Sequence, residues 1–209
     1  MQSHSLKQPP ELLRAAAYAG VSPGAIPASQ LLLVTGNASE AILRCYDKRD
    51  NGVWHPVLGA VAGHVGKNGV TRDKNEGDGC TPAGLYRLGH AFGCREKPVT
   101  KMIYRSVTEN SRWVDDPKSS RYNTWAESGD NSDWSSAERL SDYPDSYAYA
   151  VVIAYNTAHI SPGKGSAVFL HCGLWPTSGC VAVPEDTLLK MLRWLDPDKS
   201  PGILISKIE

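Results

Sequence analysis

The sequence lacks an excess of charge of either sign. Its 22 lysine and arginine residues balance 22 aspartate and glutamate residues, and they form no basic run. Sequence-independent nucleic-acid binding depends on clustered cations, and so does attachment to an anionic membrane surface. We therefore expect no nucleic-acid partner and no polybasic membrane anchor.

Long apolar runs are missing as well. Even the run Ala148–Tyr155 is far shorter than the roughly 20 residues that a membrane-spanning helix needs, so no membrane span is predicted. The first thirty residues contain Lys7, Glu11 and Arg14 between short apolar pieces, which is unlike a secretory signal. Either the protein stays in the cytoplasm, or the numbering begins after a removed signal.

Paired cysteine motifs are absent. The five cysteines are Cys45, Cys80, Cys94, Cys172 and Cys180, and no two of them form a CxxC pair. Zinc-ribbon and thioredoxin-type sites are therefore disfavoured, and we predict no metal site and no cofactor. Two disulfides with one free thiol, or five reduced thiols, both fit the count.

Glycine and proline are frequent, with 19 and 14 residues. Because many of them lie between short β-rich runs, they predict a mostly β fold with a few helices. The length fits one domain, which we divide into a peripheral lead-in over residues 1–30 and a main domain over 31–209. The turn Asp50–Gly52 predicts a hairpin, and an apolar stripe predicts a helix over Pro184–Leu195.

The predicted strands alternate with irregular segments. The glycine-rich stretch 66–84 is too polar for a core and is expected to be a functional loop. The stretch 105–147 is polar but rich in tryptophan and tyrosine, so we expect an ordered lobe that covers part of the sheet. Strands are predicted over 31–34, 42–46, 53–57, 58–65, 85–88, 149–155, 167–171 and 203–205.

One group of residues carries a chemical signal. His171 ends a predicted strand, and Cys180 follows shortly before the helix. A thiol is a good nucleophile only as a thiolate, which an imidazole base and a nearby helix N-terminus both favour. Gly179 permits a close backbone approach, and the amides of Gly179 and Cys180 could stabilise an oxyanion. The alternative is that Cys180 is simply a buried structural cysteine.

Several motifs occur in an order that resembles a known family. Phe169–His171 is followed by Thr177–Ala182, and the upstream segments are GKNGV (Gly66–Val70) and GDGCTPAG (Gly77–Gly84). Together they resemble the L,D-transpeptidase catalytic domain family of the YkuD type, in its compact single-domain branch, over about residues 31–206. Two positions depart from the family pattern: Ser178 replaces the usual histidine, and Ala182 replaces the usual arginine or asparagine.

The resemblance implies a fold and an activity. The fold would be a β-sandwich or barrel-like domain over 31–209, with a helix directly after the catalytic cysteine. Cys180 would attack a peptidoglycan stem peptide and release D-alanine to form a thioester, while His171 would shuttle protons. An amine acceptor would then give a crosslink, and water would give carboxypeptidase trimming. The family also implies reaction with carbapenems, a monomer without cofactor, and a periplasmic or secreted location in the cell envelope.

Substrate-binding residues are predicted around this pair and in the irregular lobe: Thr177, Ser178, Gly173, Tyr122, Asn123 and Arg139. A second hypothesis is a catalytically impaired module that binds the cell wall, which Ser178 and Ala182 favour. A third is a cytosolic cysteine hydrolase.

Overall fold

Strands dominate the fold. The computed structural model describes residues 7–129 and 133–208. Its two α-helices are α1 (Pro10–Ala19) and α2 (Glu185–Trp194). The strands in chain order are Gln30–Asn37 (β1), Glu40–Lys48 (β2), Trp54–His64 (β3), Val70–Thr71 (β4), Thr81–Pro82 (β5), Gly84–Gly93 (β6), Tyr104–Ser106 (β7), Ser111–Val114 (β8), Trp125–Glu127 (β9), Ala137–Arg139 (β10), Ala150–Ile153 (β11), Phe169–Cys172 (β12), Val181–Val183 (β13) and Gly202–Lys207 (β14).

The main sheet closes on itself. Across the described residues its nine strands run in the order β11-β12-β13-β3-β2-β1-β14-β6-β7, and β11 also pairs with β6. All of these strands except β7 therefore form a closed ring, which leaves few open edges. The mostly β, barrel-like class predicted from the sequence is confirmed.

Strand β1 shows why the ring holds together. Leu32 and Val34 face the main core, while Leu31 and Leu33 pack in a second core beside helix α1. Such alternation follows from the two-residue period of a strand that is buried on both faces. Helix α1 adds Leu12 to the second core, fully buried. The division of the chain at residue 30 stays a prediction.

The predicted hairpin is present as the antiparallel pair β2–β3. Its second arm differs from the prediction, because β3 runs unbroken where two separate strands were expected. Register shifts on either side of Cys45 let one long strand bend around the ring.

The lobe over residues 105–147 contains a small sheet of its own. Strands β10, β8 and β9 pair in that order, and the lobe packs an aromatic cluster against the ring. Within this cluster the Phe169 ring lies 4.9 Å from Trp113, 5.0 Å from Phe92 and 5.7 Å from Tyr147. The lobe therefore covers the start of β12, directly before His171.

Helix α2 begins later than the sequence indicated. Strand β13 stands between Cys180 and α2, and Pro184 precedes the first helical residue. The strand forms because Val181–Val183 are buried in the ring beside β12. Stabilisation of a Cys180 thiolate by the helix N-terminus stays a prediction.

Neither of the two α-helices in the described parts of the chain is long and apolar enough to cross a membrane.

Candidate active site

Parallel pairing of β12 and β13 puts the two predicted catalytic residues on adjacent segments of the ring. Leu170 pairs with Val181, and His171 pairs with Ala182. Cys180 immediately precedes β13, so its sulfur lies beside the start of β12. The backbone N–H of Phe169 donates to this sulfur at 3.3 Å.

The thiol of Cys180 is turned toward the backbone. Its S–H donates to the carbonyl oxygen of Ala167 at 3.2 Å. Among residues 7–129 and 133–208, its hydrogen-bond partners are this carbonyl and the Phe169 amide, and His171 is not one of them. The sulfur of the predicted nucleophile is therefore hydrogen-bonded to the backbone at both of these positions.

His171 is held in one tautomer. Its Nδ1 lies 2.8 Å from the carbonyl oxygen of Cys172. A carbonyl can only accept, so Nδ1 carries the hydrogen and Nε2 is left as the acceptor. Burial lowers the pKa of His171, while the Cys172 carbonyl acts in the opposite direction. The imidazole is therefore neutral at pH 7 and able to take a proton.

The thiol of Cys180 is neutral at rest. Burial, and after it the Glu138 carboxylate, raise its pKa to about 12. The Phe169 amide and the Lys74 ammonium lower it by smaller amounts. A base and a stabilising charge are therefore needed before the sulfur can attack.

Two threonines fix the peptide group after Cys180. The hydroxyl of Thr177 donates to the carbonyl oxygen of Cys180 at 2.7 Å, and that of Thr81 donates to the same oxygen at 2.9 Å. Thr177 also accepts the Gly179 N–H at 3.1 Å. The Gly179 amide, predicted for the oxyanion hole, is thus engaged, whereas the Cys180 amide has no partner among the described residues.

Residues 66–84, which we call the cleft loop, dock against the nucleophile. Gly66 forms a parallel bridge with Thr177, and the Lys67 N–H donates to the Thr177 carbonyl at 2.8 Å. A Cβ on Gly66 would lie only 2.3 Å from the carbonyl oxygen of Gly79. Gly179 has φ +151°, and a Cβ there would meet the Cys80 carbonyl at 3.0 Å. Both glycines permit this close approach.

Tyr122 and Asn123 lie under the site and are buried. The Tyr122 hydroxyl donates to Glu76 and accepts the Gly165 N–H at 3.1 Å. Oδ1 of Asn123 accepts the N–H of Ala167 at 3.1 Å, and the Ala167 carbonyl in turn receives the thiol of Cys180. These contacts give both side chains a supporting role, and their contact with substrate stays a prediction.

The other predicted binding residues are nearer the surface. Ser178 is exposed, and Gly173 is partly exposed with its N–H donated to Val183 at 2.8 Å. Arg139 is exposed, and its Nε lies 3.4 Å from an Asp142 carboxylate oxygen. Substrate contact by these residues remains a prediction. The sequence analysis did not single out Trp175, which is 79% exposed on the loop between His171 and Cys180.

Three further residues near the dyad were missed. The Tyr147 ring lies 5.7 Å from the His171 ring, edge to face, and its hydroxyl donates to Glu138 at 2.5 Å. Lys74 is buried in the cleft loop. Lysine and glutamate side chains are usually solvated. Nothing in the sequence around Lys74 or Glu138 distinguishes these residues from charged residues on the surface.

All five cysteines are free thiols. Of the two arrangements allowed by the sequence, the structure has the reduced one. Cys172 is buried with its thiol 3.5 Å from the Tyr149 carbonyl. In the described part of the chain, no group of three or more His, Cys, Asp or Glu side chains is placed to hold a metal ion.

The family described as the L,D-transpeptidase catalytic domain, YkuD, matches residues 34–204. Two solved structures are similar, the helical cell shape determining protein Pgp2 from Campylobacter jejuni and a lysine-to-alanine mutant of it. Their sequence identities are 16% and 18%, with TM-scores of 0.46 and 0.48.

Each similarity covers 87% of this chain and 48% of the other, so the chain spans about half the length of those proteins. No curated protein matches the sequence. The family match includes both His171 and Cys180 and extends over most of the chain. The protein therefore belongs to the YkuD family of L,D-transpeptidase catalytic domains.

Proposed function

We propose that the protein is a cysteine acyltransferase that acts on peptidoglycan stem peptides in the cell envelope, periplasmic or secreted. The observation that supports the proposal is the parallel pairing of β12, which carries His171, with β13, which directly follows Cys180; Nδ1–H of His171 is bound to the Cys172 carbonyl. This arrangement leaves Nε2 as the base. Family membership supplies the substrate class.

The reaction would begin when the thiol leaves the Ala167 carbonyl and gives its proton to Nε2 of His171. The sulfur attacks the carbonyl carbon that precedes the terminal D-alanine, and an S–C bond forms. The C–N bond then breaks, and the imidazolium returns the proton to the leaving amine. The unpartnered amide of Cys180 would donate to the oxyanion.

The second half would release the thioester. An amine of a neighbouring stem peptide gives up a proton to His171 and attacks the acyl carbon, which yields a crosslink and restores the thiol. Water in the same position yields a trimmed tripeptide. Ser178 and Trp175 are exposed on the loop between His171 and Cys180, and we propose that they contact the acceptor.

A non-catalytic module that binds the cell wall is the second candidate. Two observations favour it: the thiol points to Ala167, and the family's usual polar residues are replaced by Ser178 and Ala182. It predicts sacculus binding without any thiol-dependent product.

Intact mass after incubation with a carbapenem separates the two candidates. The acyltransferase should gain one drug mass on Cys180, and Cys180→Ala should gain none. Cys94→Ala, which removes a thiol of the aromatic cluster, is the matched control and should still be acylated. Muropeptide digests would then show crosslinked or trimmed products from wild type alone. Absence of both adduct and product in the folded wild-type protein would refute the enzyme.

A further inference from the structure

Lys74 is a buried cation for which the proposed mechanism has no use. Its side chain is only 5% exposed. Its Nζ lies 2.6 Å from Oδ1 of Asp78 and 2.8 Å from the Asn75 carbonyl oxygen. Lysine is rarely buried, because its desolvation is costly. The burial of this charge therefore indicates a role that offsets the desolvation cost.

Asp78 fixes this cation rigidly. Its carboxylate also accepts the N–H groups of Asn75 and Cys80, both at 2.8 Å. These bonds, together with the ammonium of Lys74, lower the pKa of Asp78, so the carboxylate is ionised. The lysine is thus held by a preorganised acceptor at one end of the cleft loop.

The ammonium lies beside the residue that precedes the proposed nucleophile. A Cβ built on Gly179 would lie 3.6 Å from Cε and 3.7 Å from Nζ of Lys74, and Gly179 directly precedes Cys180. Two of the three ammonium hydrogens are accounted for by Asp78 and Asn75. At this distance the Lys74 ammonium also lowers the pKa of Cys180, although by less than burial raises it.

The oxyanion site needs such a charge. Of the two amides predicted to form it, the Gly179 N–H is engaged by Thr177. We propose that Lys74, clamped by Asp78 beside Gly179, is the cation that stabilises negative charge on the Cys180 sulfur and on the attacked carbonyl oxygen. This inference rests on the proposed function, which supplies the second of these charges.

Other ionisable groups face Cys180 from the neighbouring elements. Glu138 on β10 acts against the thiolate, and its own pKa is raised by burial. Tyr147 contacts Glu138, and burial keeps its pKa well above the usual value. His171 on β12 is neutral above pH 6.5, since its pKa is lowered. Lys74 is thus the positive charge among the groups named here that face the sulfur at pH 8.

Site-resolved alkylation of Cys180 tests the proposal without any substrate. Iodoacetamide reacts with the thiolate, and peptide mass analysis separates Cys180 from the other thiols. Lys74→Met should slow the reaction about tenfold across pH 7–9, which corresponds to a rise of about one unit in the thiol pKa. Lys74→Arg should restore most of the rate.

The direction of the change in the alkylation rate of Cys180 distinguishes a loss of charge from a loss of packing. A variant that merely loosened the cleft loop would expose the sulfur and speed its alkylation, because burial is what raises the pKa of Cys180. Glu138→Gln, which keeps an acceptor for Tyr147, should change the rate in the opposite direction to Lys74→Met. Lys164→Met is the matched control, since this exposed lysine lies outside the cleft loop and pairs with Asp73 within it.

An unchanged or faster alkylation in folded Lys74→Met would overturn the proposal. If methionine prevents cooperative folding, Lys74→Gln, whose amide can still donate to Asn75, makes the same comparison. Slower alkylation in a protein that forms no muropeptide product would keep this role for Lys74 and refute the acyltransferase. If the wild-type protein forms muropeptide products and Lys74→Met leaves the alkylation rate unchanged, the acyltransferase is supported and this role for Lys74 is refuted.

Discussion

The hydroxyl of Thr81 offers a direct test of how the nucleophile is held. Thr81 is fully buried; its Oγ1 accepts the Gly66 N–H at 2.7 Å and donates to the Cys180 carbonyl at 2.9 Å. Thr81→Val keeps the shape of the side chain and removes both hydrogen bonds. The Cys180 carbonyl retains Thr177, whereas the Gly66 N–H is left buried without a partner.

The loss of these two hydrogen bonds sets the expected change in the free energy of unfolding. A lost hydrogen bond whose acceptor keeps a second donor costs about 1 kcal/mol, and a buried unsatisfied N–H costs about 1–3 kcal/mol. Thr81→Val should therefore lower the free energy of unfolding by about 3 kcal/mol. For a domain of this size that corresponds to a drop in Tm of roughly 6–12 °C.

Urea unfolding followed by tryptophan fluorescence in reducing buffer measures the change. Thr157→Val, at an exposed position whose hydroxyl lies 3.3 Å from the Ala154 carbonyl, is the control and should stay within about 0.5 kcal/mol. Acylation of Cys180 by a carbapenem should slow in Thr81→Val at a temperature where the variant is still folded. A stability loss no larger than that of the control would show that Thr81 does not anchor this peptide group.

Three other outcomes are expected. Because burial lowers the pKa of His171, acylation should stay level from pH 8 to 6.5 and fall only below it. A decline in acylation that begins above pH 7 would contradict this expected pH profile. The folding stability contributed by the neutral imidazole is likewise present above pH 6.5 and is lost as the pH falls toward the lowered pKa of His171. Gly179→Ala should cost about 1–3 kcal/mol in urea unfolding, because its φ is +151°, and a neutral result would exclude strain there. Trp175→Ala should weaken co-sedimentation with sacculi at unchanged Tm, and full retention would remove Trp175 from the binding surface.

The ring itself was largely predictable from the sequence. The apolar run Leu31–Val34 and the turn Asp50–Gly52 each carry a local signal, and each lies where expected, in β1 and between β2 and β3. The helix over residues 184–195 was visible from its apolar stripe. These elements form because periodicity and turn chemistry act within a few residues along the chain.

The surroundings of the nucleophile were not predictable in the same way. A three-residue strand such as β13 is too short for a periodic signal, so the valines after Cys180 were read as the approach to a helix. Lys74 and Glu138 come near Cys180 only through the docking of the cleft loop and the lobe. Such long-range contacts carry no local sequence pattern, and the sequence alone does not distinguish a buried charged residue from a solvated one.

The inward-turned sulfur of Cys180 has a consequence for chemical durability. Because burial raises the pKa of Cys180 to about 12, the thiol is almost entirely protonated at pH 7 in this orientation. Peroxide attacks the anion far faster than the thiol, and the first product is a sulfenic acid. The proposed acyltransferase would ionise its sulfur only when a peptide is bound, and it would therefore be protected from oxidative inactivation for most of its lifetime.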